Sequence, residues 1–222
     1  MDPRAPDDPK GPAGKAARRR SLREDAVNLP NLLSAARIVM IPAVLLLLDR
    51  GGPHDCYWAA WVYAAAAITD FFDGWIARRQ GLVSVLGKFL DPLADKLIVM
   101  ATLIWLVNMG RIETWVVVLL LGRELGITGL RSIASSEGVV IAAGDSGKSK
   151  TALQMIGILC LILGYPYHLS FGVLDLGVVD LVHVGRGLVY LSLVFSLTSG
   201  AEYIALFADA VEAKEKRRAA DS

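Results

Sequence analysis

The sequence has few cysteines, and their positions suggest neither a disulfide framework nor a metal site. Only Cys56 and Cys160 occur among the 222 residues, and they lie far apart. This spacing excludes a disulfide-stapled scaffold and offers no zinc-binding pair. Cys160 lies inside an apolar run, where we expect it to pack as a buried thiol. The chain also lacks an internal repeat and any segment that reads as a separate soluble domain.

Charge is scarce as well. Hydrophobic residues make up 54% of the sequence, whereas charged residues make up 20%. That balance is too apolar for an ordinary soluble domain and indicates a membrane protein. The formal net charge of +1 says little by itself, because the distribution of the charges along the chain carries the information.

The first 25 residues differ from the rest. Prolines alternate there with Asp, Lys and Gly, a composition that cannot bury a core and predicts a disordered tail over 1–25. The tail ends in a basic cluster, Arg18 to Arg20 and Arg23. Beside an apolar segment such a cluster favours contact with lipid headgroups, so we expect no nucleic-acid partner. No signal peptide is expected, because the first apolar run starts late and lacks a small-residue cleavage site.

Six apolar segments follow, each of about the 20 residues that a bilayer requires. They cover approximately 32–48, 57–76, 91–109, 114–134, 150–170 and 183–207. We therefore predict an all-α integral membrane protein with six transmembrane helices over 26–210 and a charged cytoplasmic tail over 211–222. Pro30 and Asn31 are suited to a helix start. Arg37 lies inside the first span, where a cation is costly unless it faces a polar interior or has a partner.

The loop charges predict an orientation. The two tails and the 77–90 and 135–150 loops are basic, and all four fall on one side of a six-span bundle. The opposite side holds Arg50, Arg111 and Arg186. The positive-inside rule then places both termini in the cytoplasm and the protein in the inner (cytoplasmic) membrane as a multi-pass protein.

Four aspartates stand at the ends of the second and third spans, around a short basic loop. They are Asp70, Asp73, Asp91 and Asp95. The first two are three residues apart and the last two four apart, so each pair shares one helix face. A helical hairpin would bring all four to one depth, where desolvation and mutual repulsion would be costly. Divalent cations such as Mg²⁺ or Mn²⁺ offer the natural compensation.

The full spacing is Asp70-x2-Asp73-Gly74-x2-Ala77-Arg78-x8-Gly87-x3-Asp91-x3-Asp95. It resembles the signature of the CDP-alcohol phosphotransferases, integral membrane enzymes of phospholipid synthesis. The resemblance implies two divalent cations, one held by Asp70, Asp73 and Asp91 and the other by Asp70, Asp91 and Asp95. It also implies that Asp95 is the catalytic base. The residues expected to bind the CDP-linked lipid are Asn31, Gly74, Arg78, Ser84 and Gly87.

A basic acceptor site is expected if the acceptor alcohol carries a phosphate. Arg123 and Arg131 lie eight residues apart on one predicted helix, slightly over two turns, and so point to similar sides. Lys148 and Lys150 stand at the start of the next span, and Arg37 adds a fifth cation. We expect these five residues to bind the acceptor phosphate, and Glu124 to form an ion pair with a neighbour.

Segments between residues 28 and 160 also resemble the phosphatidylglycerophosphate synthases, one group within the family. They are NLPNLLSAARI, the aspartate signature, GRELGITGLR and GKSKTALQM. The resemblance is weaker beyond 165. It implies a reaction between CDP-diacylglycerol and sn-glycerol 3-phosphate that gives phosphatidylglycerophosphate and CMP. It also implies a homodimer in the lipid bilayer.

Three other hypotheses remain at this point. A sister enzyme of the family would use inositol phosphate, serine or phosphatidylglycerol as the acceptor, and the aspartate signature does not distinguish these. Membrane prenyltransferases also use aspartate-rich metal sites, but in two separate hairpins. A cation transporter would explain buried carboxylates and leave the spacing of Gly74, Arg78 and Gly87 unexplained.

Overall fold

The computed structural model describes residues 29–80, 85–137, 146–171 and 174–220. These residues form six helices and one hairpin of two strands. The helices are α1 (Leu29–Arg50), α2 (Pro53–Gln80), α3 (Val85–Asn108), α4 (Thr114–Ser136), α5 (Ser146–Leu163) and α6 (Leu181–Ala220). The strands β1 (Pro166–Phe171) and β2 (Leu174–Asp180) pair antiparallel between α5 and α6. The predicted tail 1–25 lies outside the described residues.

The six helices correspond one to one with the six predicted spans. The prediction for the fifth span, 150–170, is wrong at its end, because α5 stops at Leu163 and β1 begins at Pro166. The all-α class is corrected accordingly, since a β-hairpin joins the last two helices. At the other end of the chain, α6 continues to Ala220, so most of the predicted charged tail is the last part of a helix.

Gly164 explains why α5 ends early. Its φ is +54°, in the left-handed region that glycine adopts without steric cost and that commonly terminates helices. Its N–H donates to the carbonyl of Cys160 at 3.0 Å. Pro166, two residues later, cannot continue a helix. This Gly-x-Pro stop signal is present in the sequence. The apolar residues that follow it, however, led to the prediction of a span that continues to residue 170.

The helices pack in a ring whose order differs from their order in the chain. α1 packs against α2 and α3, α5 packs against α2 and α6, and α4 packs against α3 and α6. The order around the ring is therefore α1, α2, α5, α6, α4, α3. Apolar side chains from all six helices fill the interior, among them Leu48, Tyr63, Leu103, Leu161 and Val189, together with Val116 of α4.

Successive helices run in opposite directions, so the bundle has two distinct ends. We call the end that holds the last turns of α2 and the first turns of α3 the aspartate end, and the opposite one the far end. At the far end the Tyr165 hydroxyl donates to the Gly51 carbonyl. At the aspartate end Lys214 donates to the carbonyl of Glu137 at 2.6 Å and pairs with its carboxylate at 2.7 Å. The last part of α6 is thus fastened to the end of α4.

Two glycines allow α5 and α6 to cross in close contact. A Cβ added to Gly185 would lie 2.8 Å from the carbonyl oxygen of Gly157 and 2.8 Å from Cγ of Leu161. A Cβ added to Gly157 would lie 2.8 Å from Cγ2 of Val189. Because the obstacle at Gly185 includes backbone, it cannot move aside cheaply. Small residues of this kind let two helix backbones approach closely in membrane proteins.

Two arginines close the far end, Arg111 by capping α5 and Arg186 by binding the turn that follows α3. Arg111, which is buried, donates to the carbonyls of Leu161 at 2.8 Å and Ile162 at 2.6 Å, at the end of α5. Arg186 donates to the carbonyls of Gly110 and Arg111, each at 2.8 Å, just after the end of α3. The last carbonyls of a helix lack partners within it, so a cation there satisfies both hydrogen bonding and the helix dipole. Arg111 and Arg186, which were predicted to lie on the side opposite the cytoplasm, therefore stabilise the fold.

Carboxylates support the same end. Glu113 accepts a hydrogen bond from the Tyr190 hydroxyl, and this bond holds the pKa of Glu113 below its usual value. Asp180 caps α6 by accepting the Val182 N–H at 2.8 Å, as helix N-caps commonly do. The hydrogen bond to His183 is the main reason why the pKa of Asp180 is lowered.

Within the described residues, two helices are long and apolar enough to cross a membrane, judged by length and composition. They are Leu32–Arg50 and Leu181–Lys216, and a shorter apolar helix covers Lys150–Leu163. Large apolar side chains point outward from the bundle, including Leu46, Ile104 and Val194. Near the far end the exposed residues include the aromatic rings of Tyr57, Trp58 and Trp115. Aromatic side chains of this type are enriched where membrane and water meet.

Candidate active site

The helix bounds bring the four predicted aspartates to one end of the bundle. Asp70 and Asp73 lie in the second half of α2, and Asp91 and Asp95 lie in the first half of α3. Two successive helices therefore carry the aspartates, as expected, but within the described part of the chain α2 and α3 are not neighbours in the ring, because α1 lies between them. Of the four side chains, the structure describes only that of Asp95, so the clustering of the carboxylates stays a prediction. The other predicted site residues whose side chains lie outside the described part are Asn31, Gly74, Arg78, Ser84, Gly87 and Lys148.

Asp95 lines a cavity of the bundle. The cavity has a volume of about 110 Å³ and lies between α3, α4, α5 and α6. That volume holds several water molecules, so it suits a small polar molecule better than a whole phospholipid. Its polar lining consists of Asp95, Lys96, Glu124, Lys150, Thr151, Gln154 and Ser196. Val99, Met100, Leu120, Leu121 and Met155 supply the apolar part of the wall.

A charged group on one wall joins α3 to α4. Lys96 follows Asp95 directly, and its Nζ donates to Oγ1 of Thr128 at 2.6 Å. The same Nζ lies 3.6 Å from Oε1 of Glu124. The Thr128 hydroxyl in turn donates to the Glu124 carbonyl at 2.7 Å. Lys96 thus ties the helix that carries the proposed base to the helix that carries Glu124.

Arg123 is held by α6. Its Nε donates to the Ser196 carbonyl and its Nη2 to the Ser199 hydroxyl, each at 3.0 Å. Its Nη1 pairs with Oε2 of Glu124, also at 3.0 Å, which confirms the predicted ion pair of Glu124. The guanidinium is 9% exposed, and a Cβ on Gly200 would lie 3.5 Å from its Nε. These contacts indicate that Arg123 links α4 to α6. The role of Arg123 in phosphate binding stays a prediction.

Lys150 is the cation best placed to meet a ligand in the cavity. It is half-buried in the first turns of α5, and it forms no ion pair or hydrogen bond with the residues that the structure describes. The positive charges of Arg123 and Arg131 reach Lys150 and add to the field there. Arg131 itself is exposed and lies over the ring of Tyr203, 5.8 Å from its centroid. Lys150 thus offers a positive charge to an anion in the cavity.

Arg37 is buried, as expected for an arginine inside an apolar span. Only 1% of it is exposed, and Ser34, one turn earlier in α1, is equally inaccessible. The structure therefore agrees with the interpretation that Arg37 faces the interior. Whether it contacts the acceptor phosphate stays a prediction.

The carboxylate of Asp95 is a donor of the kind that fits a hard divalent cation. Asp95 offers carboxylate oxygens to the cavity, and such oxygens are the ligands that Mg²⁺ and Mn²⁺ prefer. Among the described side chains no group of three His, Cys, Asp or Glu residues could hold a metal ion by itself. A complete site accordingly depends on Asp70, Asp73 and Asp91, the three aspartates named by the sequence.

Sequence reasoning assigned only Asp95 and Lys150 of the cavity wall to binding, and Lys96, Gln154 and Ser196 are among the residues that it missed. Lys96 lies one position beyond the aspartate signature, where its placement next to Asp95 was a usable signal. Gln154 lies within the GKSKTALQM segment and one turn after Lys150, on the same helix face. Ser196 gave no signal, because a serine inside an apolar span has no distinctive pattern.

Comparison with known proteins extends the match beyond these motifs. The family model described as CDP-alcohol phosphatidyltransferase matches residues 27–198. A CDP-diacylglycerol–glycerol-3-phosphate 3-phosphatidyltransferase of Bacillus subtilis is 36% identical over 188 residues, which cover 79% of this chain and 93% of that protein. A probable phosphatidylglycerophosphate synthase of Mycobacterium tuberculosis is 43% identical over 153 residues, covering 67% and 73%. A CDP-diacylglycerol–glycerol-3-phosphate 3-phosphatidyltransferase 2 of Arabidopsis thaliana is 34% identical over 191 residues, covering 78% and 79%.

Proposed function

This chain belongs to the CDP-alcohol phosphatidyltransferase family, and from that membership we propose that it transfers the phosphatidyl group of CDP-diacylglycerol to sn-glycerol 3-phosphate. The products are phosphatidylglycerophosphate and CMP. The observation that carries this proposal is the similarity to the Bacillus subtilis phosphatidyltransferase, which extends over 93% of that protein. The cavity supports the choice of acceptor, because it offers the cation Lys150 and the carboxylate Asp95 to one small molecule.

Asp95 is the proposed general base. It takes the proton from the primary hydroxyl of the acceptor while the hydroxyl oxygen attacks the phosphorus on the lipid side of the diphosphate. The bond between that phosphorus and the bridging oxygen breaks, and CMP leaves with the electron pair. The position of Asp95 on the cavity wall supports this role, since a small acceptor in the cavity reaches it without entering the lipid phase.

The aspartates are also the proposed metal ligands. Asp70, Asp73 and Asp91 would hold one Mg²⁺ or Mn²⁺, and Asp70, Asp91 and Asp95 the other. When bound, the two cations stabilise negative charge on the diphosphate and on the departing CMP. Asn31, Gly74, Arg78, Ser84 and Gly87 are the proposed binding residues for the CDP-lipid. Of these, Arg78 supplies a charge-assisted bond to phosphate, and glycine at 74 and 87 permits close approach of the nucleotide.

The acceptor phosphate is proposed to bind Lys150, with additional positive charge from Arg37, Arg123, Arg131 and Lys148. Lys150 is preferred as the direct partner because the described contacts of Arg123 already use its Nε, Nη1 and Nη2. An ammonium group acts as a compact point charge that suits a phosphate monoester approaching from solvent.

An assay of CMP release tests the function. The purified protein in detergent is given CDP-diacylglycerol, Mg²⁺ and one acceptor at a time. We expect release with sn-glycerol 3-phosphate, and none above background with serine, inositol phosphate or phosphatidylglycerol. Release with one of those three alone would assign the protein to a sister enzyme of the family.

Lys150→Met should weaken the acceptor and spare the lipid substrate. A charge-assisted hydrogen bond contributes about 1.5–3 kcal/mol, and about 1.4 kcal/mol is tenfold in affinity. We therefore expect the KM for sn-glycerol 3-phosphate to rise about ten- to a hundredfold, while the KM for CDP-diacylglycerol changes little. Lys216→Met, which removes an exposed lysine paired only with Glu212 among the described residues, is the matched control. An equal rise in both constants would contradict the assignment of Lys150.

We further propose that the protein is a multi-pass homodimer of the inner (cytoplasmic) membrane with both termini in the cytoplasm. Cysteines at Val178, 70% exposed in the hairpin, and at Lys216, 75% exposed on α6, report opposite ends of the bundle. An impermeant maleimide should label Val178→Cys in intact cells, once any outer barrier is permeable, and Lys216→Cys only after lysis. The unmodified chain gives the baseline for Cys56 and Cys160. The reverse pattern would overturn the orientation, and a monomer mass in detergent would overturn the dimer.

A further inference from the structure

Glu124 is an unusual residue to find in a cavity proposed to bind a phosphate. Its side chain is 41% exposed and forms part of the cavity wall with Lys96 and Lys150. A carboxylate repels an anionic ligand and so lowers the affinity of the cavity for phosphate. Its presence in the wall therefore calls for a second role. Its charge is offset by two cations, Arg123 at 3.0 Å and Lys96 at 3.6 Å.

The two carboxylate oxygens are not used equally. Oε2 accepts from Nη1 of Arg123 at hydrogen-bond distance. Oε1 is 3.6 Å from Nζ of Lys96, too far for a good hydrogen bond, and that ammonium instead donates to Thr128. An ionised carboxylate accepts about four hydrogen bonds. Oε1 of Glu124 therefore keeps capacity to accept a hydrogen bond, and Glu124 is part of the cavity wall.

A polyol phosphate matches the arrangement of the wall. Asp95, Lys96 and Glu124 line the same cavity, and Nζ of Lys96 lies 3.6 Å from Oε1 of Glu124. Lys150 and Gln154 form the wall supplied by α5. Glycerol phosphate would place its phosphate at Lys150 and its primary hydroxyl at Asp95. Its secondary hydroxyl would then face another part of the cavity wall, to which Glu124 belongs.

We propose that Glu124 accepts a hydrogen bond from the free secondary hydroxyl of the acceptor and is thereby a specificity-determining residue. The inference rests on the proposed function, because it assigns a role within the same acceptor site. The hydrogen bond from Nη1 of Arg123 holds Oε2 of Glu124 in place. A site that hydrogen-bonds a substrate hydroxyl discriminates against substrates that lack the hydroxyl.

A pair of substrates isolates this hydrogen bond. 3-Hydroxypropyl phosphate retains the phosphate and the attacking primary hydroxyl of sn-glycerol 3-phosphate but has no secondary hydroxyl. We expect the unmodified enzyme to prefer sn-glycerol 3-phosphate by about ten- to a hundredfold in kcat/KM, the range for a hydrogen bond to a charged group. In Glu124→Met the preference should fall to about threefold or less. In Glu124→Gln it should be intermediate, because a neutral acceptor bonds about half as strongly.

Lys96→Met is the matched control, since it breaks the same ion pair and leaves the carboxylate in place. It should keep the preference for sn-glycerol 3-phosphate even if its overall activity falls. Glu124 would lose its assigned role if Glu124→Met slowed both acceptors by one factor, or if Lys96→Met abolished the preference as fully. Should Glu124→Met fail to fold, an unchanged preference in Glu124→Gln overturns the proposal. An enzyme that uses neither acceptor, but another alcohol, instead contradicts the proposed function.

Discussion

Asp95→Asn is expected to leave the protein folded and to lower its turnover by about a thousandfold or more. A positioned general base contributes about 10²–10⁴-fold, and loss of a metal ligand reduces stabilisation of the leaving phosphate further. Asparagine has nearly the same shape as aspartate, so the packing around this half-buried position changes little. The substitution therefore separates chemistry from folding more cleanly than alanine would.

The measurement is CMP release under single-turnover and steady-state conditions, with thermal unfolding in detergent as the check on folding. Asp209→Asn is the matched control, because Asp209 is an exposed aspartate of α6 that lies away from the cavity. Mn²⁺ binding measured by calorimetry should weaken in Asp95→Asn and stay unchanged in Asp209→Asn. Near-normal turnover in purified Asp95→Asn would remove both roles assigned to this residue.

Gly185→Ala is expected to destabilise the bundle more than any other single methyl group added to a described glycine of α6. The new Cβ would stand 2.8 Å from the Gly157 carbonyl oxygen, and this backbone atom cannot rotate away. Overpacking of a tight interior costs about 1–3 kcal/mol and occasionally more. For a chain of this length each kcal/mol lowers the Tm by about 2–4 °C.

The control for this prediction lies two residues away. A Cβ at Gly187 would meet nothing within 4 Å, so Gly187→Ala gains helix propensity without a clash, about 1 kcal/mol in favour of the helix. Thermal unfolding of the two variants side by side should show a fall in Tm for Gly185→Ala and no fall for Gly187→Ala. Equal midpoints would show that α5 and α6 do not cross as closely as described.

The sequence predicts the helices well because their signal is local. The lengths of the apolar runs correspond to all six helices, and the spacing of Asp70, Asp73, Asp91 and Asp95 corresponds to the two helices that carry them. The exception, the end of the fifth span, arises where an apolar run continues through a helix stop. There the glycine and proline at 164 and 166 outweigh hydrophobicity, because they fix the backbone directly.

The contacts that shape the cavity are not local, and this is why the sequence does not predict them. Arg123 is held by Ser196 and Ser199, more than 70 positions later in the chain. The residues near Arg123 in the sequence do not show whether it binds a phosphate or links two helices, since both roles need a cation in a polar setting. The close crossing depends likewise on Gly157 and Gly185, two glycines in different helices with no shared pattern.

The order of the helix ring has a consequence for biosynthesis. α6 is translated after the other five described helices, yet it lies in the ring between α5 and α4. Until it arrives, Ser196 is missing from the cavity wall, Arg123 lacks its two partners on that helix, and the end of α3 lacks the Arg186 cap. A nascent chain that already carries all four aspartates thus remains an open arc of five helices. The cavity wall is therefore complete only after α6 has packed against α4 and α5.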